Sequence, residues 1–154
     1  STAHRVLDGT EWYDRTINNR RIKRWRLDDD RENILYKASH INHPSNIWLR
    51  ESTDHYKWLF LLWGFLINEY EQRYGKDHKS IELHPYVKNP PLSMYKKGWV
   101  PPPPAMPDEY KVPNDSILSY RNFYNGSKSR FATWKNTPPN WFTGEFNADL
   151  RLHM

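Results

Sequence analysis

The chain contains no cysteine. Disulfides, thiolate nucleophiles, Cys-ligated zinc and iron–sulfur clusters are therefore excluded, and a cytoplasmic compartment is expected. Glycine is scarce: the six residues are scattered, and none forms GxGxxG or GxxxxGK followed by Ser or Thr. Those loops exist to bring backbone N–H groups up to phosphates. Triphosphate hydrolysis, dinucleotide chemistry and a nucleotide cofactor are accordingly not expected. GxSxG is missing as well, which disfavours acyl transfer from a nucleophile elbow. Long apolar runs are lacking too. The most apolar stretch, Trp58 to Ile67, is ten residues interrupted by Gly64, and mean hydropathy is −0.99. A membrane span needs about 20 apolar residues, so that stretch reads as one face of a buried helix and no membrane partner is expected. The opening residues Ser1 to Arg5 hold no apolar leader core.

What is abundant is aromatic. Eight Trp, ten Tyr and six Phe make up 16% of 154 residues, a length suited to one domain with one core. Such a core is built from a few large rings. The balance of 23 Lys and Arg against 18 Asp and Glu gives a net charge of +5 and a pI near 9.4, which favours polyanionic partners. Rings beside cations also suit base stacking.

Periodicity predicts an all-α, compact single-domain helical fold around one long central helix. Trp58, Leu59, Leu62, Trp63, Leu66, Ile67, Tyr70 and Tyr74 recur at helical spacing between an N-cap at Ser52 and a stop at Gly75. Trp58, Leu62 and Leu66 are expected to be nearly fully buried. A short helix is expected before Gly9, another from Pro44, and others over Lys79–Leu83, Ser116–Tyr124 and Lys128–Lys135. Thr10 to Leu27 suits a hairpin or an extended basic arm. Residues 89–113 hold eight of the twelve prolines and should form a Pro-rich loop wrapping the surface. The helical domain is placed at 1–142, with a loosely ordered tail at 143–154.

Two groups of residues carry candidate chemistry. Asn42-His43-Pro44 and Trp48-Leu49-Arg50-Glu51 sit at a helix start, where unpaired N–H groups favour anions. Arg50 suits a phosphate clamp, Glu51 a general base or water-steering group, His43 its partner and Trp48 a stacking ring. A plain surface ion pair between Arg50 and Glu51 is the competing reading. The second group is Arg20, Arg21, Lys23, Arg24 and Arg26, followed by Asp28, Asp29 and Asp30. Internal ion pairs with these aspartates are the favoured account of that run. Arg73, Lys76 and Lys79 add positive charge near the far end of the long helix. Seven histidines show neither HExxH nor another zinc spacing, so no metal is expected.

The blocks Asn42-His43-Pro44, Trp48-x-Arg50-Glu51-Ser52, Arg73-Tyr74-Gly75-Lys76-x-His78-Lys79-Ser80 and Met106-Pro107-Asp108-Glu109-Tyr110-Lys111 resemble a family of small proteins of tailed bacterial viruses. Tyr120-Arg121-x-x-Tyr124, Lys128-x-x-Phe131-Ala132-x-Trp134-Lys135 and Pro139-x-Trp141-Phe142 continue the resemblance. The family is in turn distantly similar to viral pyrimidine-dimer DNA glycosylases. What this implies is a DNA-processing protein of base-excision type, acting on a flipped base in the cytoplasm of an infected bacterial cell. Relatives carry a further N-terminal segment rich in His, Cys, Asp and Lys, so the resemblance implies a segment upstream of Ser1. A non-catalytic nucleic-acid-binding accessory protein is the first alternative. A virion or host-interaction protein, with segment 89–113 as the protein contact, is the second.

Overall fold

Helix α1 (Thr2–Asp8) opens the chain in the computed structural model, which describes residues 1–146. It stops at Gly9, where a Cβ would collide with the Arg5 carbonyl oxygen and crowd that of Arg26. Only glycine lets the helix end pass so close to the strand beside it. The chain then extends as β1 (Thr10–Arg15) and returns as β2 (Arg21–Arg26), antiparallel, with Thr10 opposite Arg26 and Arg15 opposite Arg21. Thr16 N–H bonds the Arg20 carbonyl across a three-residue loop that Asn19 closes at φ 59. Asparagine tolerates that left-handed position, and the loop is a common hairpin closure.

This two-stranded sheet overturns the all-α expectation; the fold is mixed. Most of the ribbon is exposed on both faces. No buried face imposed the apolar–polar alternation by which a strand is recognised, so the sequence carried little strand signal.

The chain divides into two compact units, Ser1–Val100 and the part from Pro101 onward. In the first unit, α2 (Arg31–Ile34), α3 (Pro44–Glu51), α4 (Thr53–Tyr74), a 3₁₀ turn (Lys79–Leu83) and α5 (His84–Val87) follow the ribbon. Ser52 Oγ caps α4 by accepting from Asp54 N–H, and Gly75 ends it at φ 64. One buried cluster joins Leu27, Leu35, Leu83 and Val87, with Phe60, Trp63 and Tyr86 against it; a second joins Ala3, Tyr56 and Met94.

The long helix is not buried along the expected face. Only His55, Tyr56 and Ile67 are buried in α4, while Trp58 and Leu62 are 39% and 38% exposed and Leu66 60%. Helical spacing shows that a face is apolar, but not that anything lies against it. Leu62→Ala should consequently cost about 1 kcal/mol in thermal or urea unfolding, well below the several kcal/mol of a truncation in a close-packed core.

In the second unit, Pro102 and Pro103 carbonyls accept from Ser116 Oγ and Tyr120 Oη, which fastens the proline run to α6 (Ser116–Asn125). Two 3₁₀ turns, Asp108–Tyr110 and Ser129–Phe131, flank that helix in sequence. Thr143 and Gly144 N–H groups donate to Asn125 Oδ1. The remainder of the expected tail, 147–154, lies outside the described residues.

Arg5, 4% exposed, fastens the ribbon to the first unit. Its guanidinium donates to the carbonyls of Trp25, Glu32, Leu35 and Tyr36 and, at 2.5 Å, to Glu32 Oε2. The same carboxylate oxygen accepts from Leu27 N–H. Removing the guanidinium leaves the carbonyls it serves unpaired and Glu32, whose side chain is 34% exposed and stays partly hydrated, without its partner, at a cost of about 2–3 kcal/mol. Urea denaturation should show a loss of that size in Arg5→Met; an unchanged midpoint would mean that the ribbon is held in another way.

Candidate functional site

Two features of the first unit have functional character: the cationic ribbon, and a cavity of about 520 Å³ beside α1, α3 and α4.

The ribbon concentrates charge. Thr10 to Arg26 holds six cations and two carboxylates, so +4 of the chain's net +5 lies in seventeen residues. Residues directly opposite share a face of the sheet. Tyr13, Arg15, Arg21, Lys23 and Trp25 therefore form one face, and Trp12, Ile22, Arg24 and Arg26 the other. The Arg21 guanidinium lies 3.6 Å from the Tyr13 ring centre, a cation–π contact that holds both groups extended along the surface. Lys23 pairs with Glu11 at 2.8 Å.

The aspartates do not neutralise this face as expected. Asp29 binds Arg31, through Oδ1 to Nε and Oδ2 to Nη2. Among the described residues, no ion pair joins Asp28 or Asp30 to the ribbon, and Lys23 is its only ion-paired cation. The turn after β2 directs the Asp29 carboxylate to Arg31 at the start of α2 instead.

The cavity has a polar rim of Thr2, His40, His43, Ser45 and Asn46, and an apolar wall that includes Leu59, Phe60, Trp63 and Leu66. His43 N-caps α3: its Nδ1 accepts from Ser45 N–H, which leaves the neutral ring with its proton on Nε2. Asn46 is committed to the loop, donating to the Ser39 and His40 carbonyls. His40 holds that loop at φ 49, a sparsely populated conformation for a residue with a side chain.

Beneath the cavity lies a buried chain of polar groups. Arg31 Nη1 donates to Asp8 Oδ2 at 2.6 Å and to His4 Nδ1 at 3.0 Å. Nδ1 is therefore unprotonated, and His4 Nε2–H donates to Tyr56 Oη at 2.7 Å. Tyr56 in turn donates to the Val87 carbonyl, also at 2.7 Å. Asp8 also accepts from the Leu92 and Ser93 N–H groups. Burial pushes the His4 imidazole down to about 4, helped by the positive charges of the Ser1 amine and of Arg31. Burial raises the Tyr56 phenol. Tyr56 and Val87 both border the cavity, so this chain fixes part of its lining.

The residues expected from sequence are only partly brought together. His43 borders the cavity. Trp48 is buried, donates from Nε1 to the Val100 carbonyl and stacks on His55 at 4.2 Å, so its ring is committed to packing. Arg50 Nη2 donates to the Ile41 carbonyl at 2.7 Å, and burial lowers its pKa. Glu51 is exposed at the end of α3 and is not among the cavity's lining residues. Arg73 pairs with Glu69 one turn away on α4; Lys76 and Lys79 are exposed beyond that helix. His4, Asp8, Arg31 and Tyr56 were not anticipated. The i, i+4 spacing of His4 and Asp8 was a signal, but their partners come from distant elements. Among the described residues, no three His, Cys, Asp or Glu side chains converge as a metal site requires, and no helix is long and apolar enough to cross a membrane.

Comparison with protein-family models, curated proteins and solved structures finds no match to this chain.

The buried histidine gives a pH signature. Its folded pKa lies below its unfolded value of 6.5, so the unfolded chain takes up the proton first. Stability should fall as pH drops from about 6.5 to about 4, by up to about 3 kcal/mol from this group. His4→Gln, compared with wild type by urea denaturation over that range, should flatten the decline. Parallel pH profiles would show that His4 takes up its proton as readily in the folded as in the unfolded chain.

Proposed function

We propose that this chain is a DNA-binding protein that grips the phosphate backbone with the β1–β2 ribbon, in a DNA-processing setting like the one its sequence resemblance implies. The observation that carries the reading is the ribbon itself: six cations, interleaved with Trp12, Tyr13 and Trp25, left unneutralised by the neighbouring aspartates. A two-stranded ribbon has the width to enter a major groove, and phosphate contacts supply most non-specific affinity.

The cavity supports a narrower reading, that an extruded base is received there. Its volume accommodates a base, Phe60 and Trp63 offer faces for stacking, and His43 Nε2–H is a donor at the rim. For base excision the support is thinner, since no carboxylate is among the lining residues and Glu51 lies outside them. That observation favours the accessory, non-catalytic reading over glycosidic cleavage by His43 and Glu51.

Duplex DNA should bind with an affinity that falls steeply with salt. Replacing Arg20, Arg21 and Arg24 by Ala should flatten the slope of log K against log salt by roughly 0.9 for each phosphate that is no longer neutralised. Failure to bind duplex at low salt, or a slope indifferent to these substitutions, contradicts the reading. Base release from ultraviolet-irradiated duplex by the unaltered chain would restore the base-excision alternative.

A further inference from the structure

From Ser116 to Gly144 the chain contains no carboxylate, yet it carries Arg121, Lys128, Arg130 and Lys135 and seven aromatic rings. All of this belongs to the second unit, whereas the ribbon and the cavity belong to the first.

The rings form a connected series. Centroid separations are 6.4 Å from Phe123 to Tyr124, 6.5 Å on to Trp141, 6.1 Å on to Phe142 and 5.1 Å on to Trp134. Cations lie over these rings and over Phe131. The Arg130 guanidinium is 4.5 Å from the Phe131 centre, with Lys128 Nζ 5.8 Å from the same ring and 5.3 Å from Phe123. Arg121 lies 5.6 Å from Trp141. Phe131 is 62% exposed, Tyr124 50% and Trp134 40%, so ring area beyond what packing uses faces solvent.

Polar fastenings hold the surface in place. Asn125 donates to the Trp141 carbonyl and accepts from Thr143 and Gly144, which ties the Trp141–Phe142 segment to the end of α6. Gly126 admits the Tyr110 ring, with which a Cβ would collide, and Tyr110 Oη bonds Ser127 Oγ at 2.7 Å. The platform is thus set before any ligand arrives.

Among the described residues Arg121, Lys128 and Arg130 make no ion pair, so their charge suits a polyanion, and exposed flat rings beside these cations match unpaired bases. In a duplex the base faces are already stacked; in a single strand they are free to stack on protein rings. We propose that the second unit carries a separate site for single-stranded nucleic acid, with Phe131 as a stacking ring and Lys128 and Arg130 as its phosphate contacts. This site stands on the second unit alone and does not depend on the ribbon.

The test uses the whole chain and a labelled oligothymidylate of about fifteen nucleotides, within the range one such surface covers. Wild type should bind it at low salt. Phe131→Ala should weaken binding roughly ten-fold, the scale of removing one base–ring stack. Phe131→Leu, which keeps an apolar side chain, should weaken it as well. Lys128→Gln with Arg130→Gln should flatten the salt slope by roughly 0.7 for each cation removed from a phosphate. The effects of the Phe131, Lys128 and Arg130 substitutions should persist in a background carrying Arg20→Ala, Arg21→Ala and Arg24→Ala, which removes phosphate contacts of the ribbon, so that failure of the ribbon reading and of this one are separable. Inorganic polyphosphate, which carries charge without bases, should bind wild type and Phe131→Ala equally. Absence of oligothymidylate binding, or an affinity unchanged by both Phe131 substitutions, overturns the proposal.

Discussion

The first unit depends on one buried guanidinium. Arg5 gathers carbonyls from the end of β2, from α2 and from the turn after it, and neutralises its charge on Glu32. A buried arginine is tolerated only when its donors are met, and here the bonds close the end of β2, α2 and the turn after it onto α1. An isolated two-stranded ribbon is marginal in water. Anchoring at its base lets this one stay extended although most of its side chains, the partly buried Asp14, Ile22, Arg24 and Trp25 apart, face solvent.

A second set of polar bonds extends the logic from α1 to α4. Asp8 and His4 share Arg31, and His4 passes the constraint to Tyr56 at the cavity. Because the imidazole is held neutral by burial, the buried charge in this set is confined to the paired Arg31 and Asp8. The helix therefore connects the two features of interest: its first residues border the cavity and its last lead into the ribbon. At 1.5 Å per residue, its seven residues put the two about 10 Å apart.

Much of the helical layout was legible because its signals are local. Ser52, Gly75, Pro44 and Asp115 act at helix ends through their own side chains or backbone, and neighbouring sequence is enough to identify them. The basic run Arg20 to Arg26 was visible as well, but its meaning was not. Adjacent Asp28–Asp30 suggested neutralisation, whereas the turn after β2 sends Asp29 to Arg31. Trp48 and Arg50 looked available for ligand because residue type reveals chemistry and not occupancy; packing on His55 and the Ile41 carbonyl had already claimed them. The partners of His4 lie 27 and 52 positions away, and pairing over such separations leaves no local trace.

The most direct test of the central claim is hydrogen exchange of the free chain and of its complex with duplex DNA, read by mass spectrometry along β1 and β2. The account predicts slow exchange of the paired ribbon amides in the free protein and further protection of Thr10–Arg26 when duplex is added. Fast exchange throughout the ribbon, or DNA-dependent protection that leaves it unchanged, would contradict the claim that a rigidly anchored ribbon is the DNA contact.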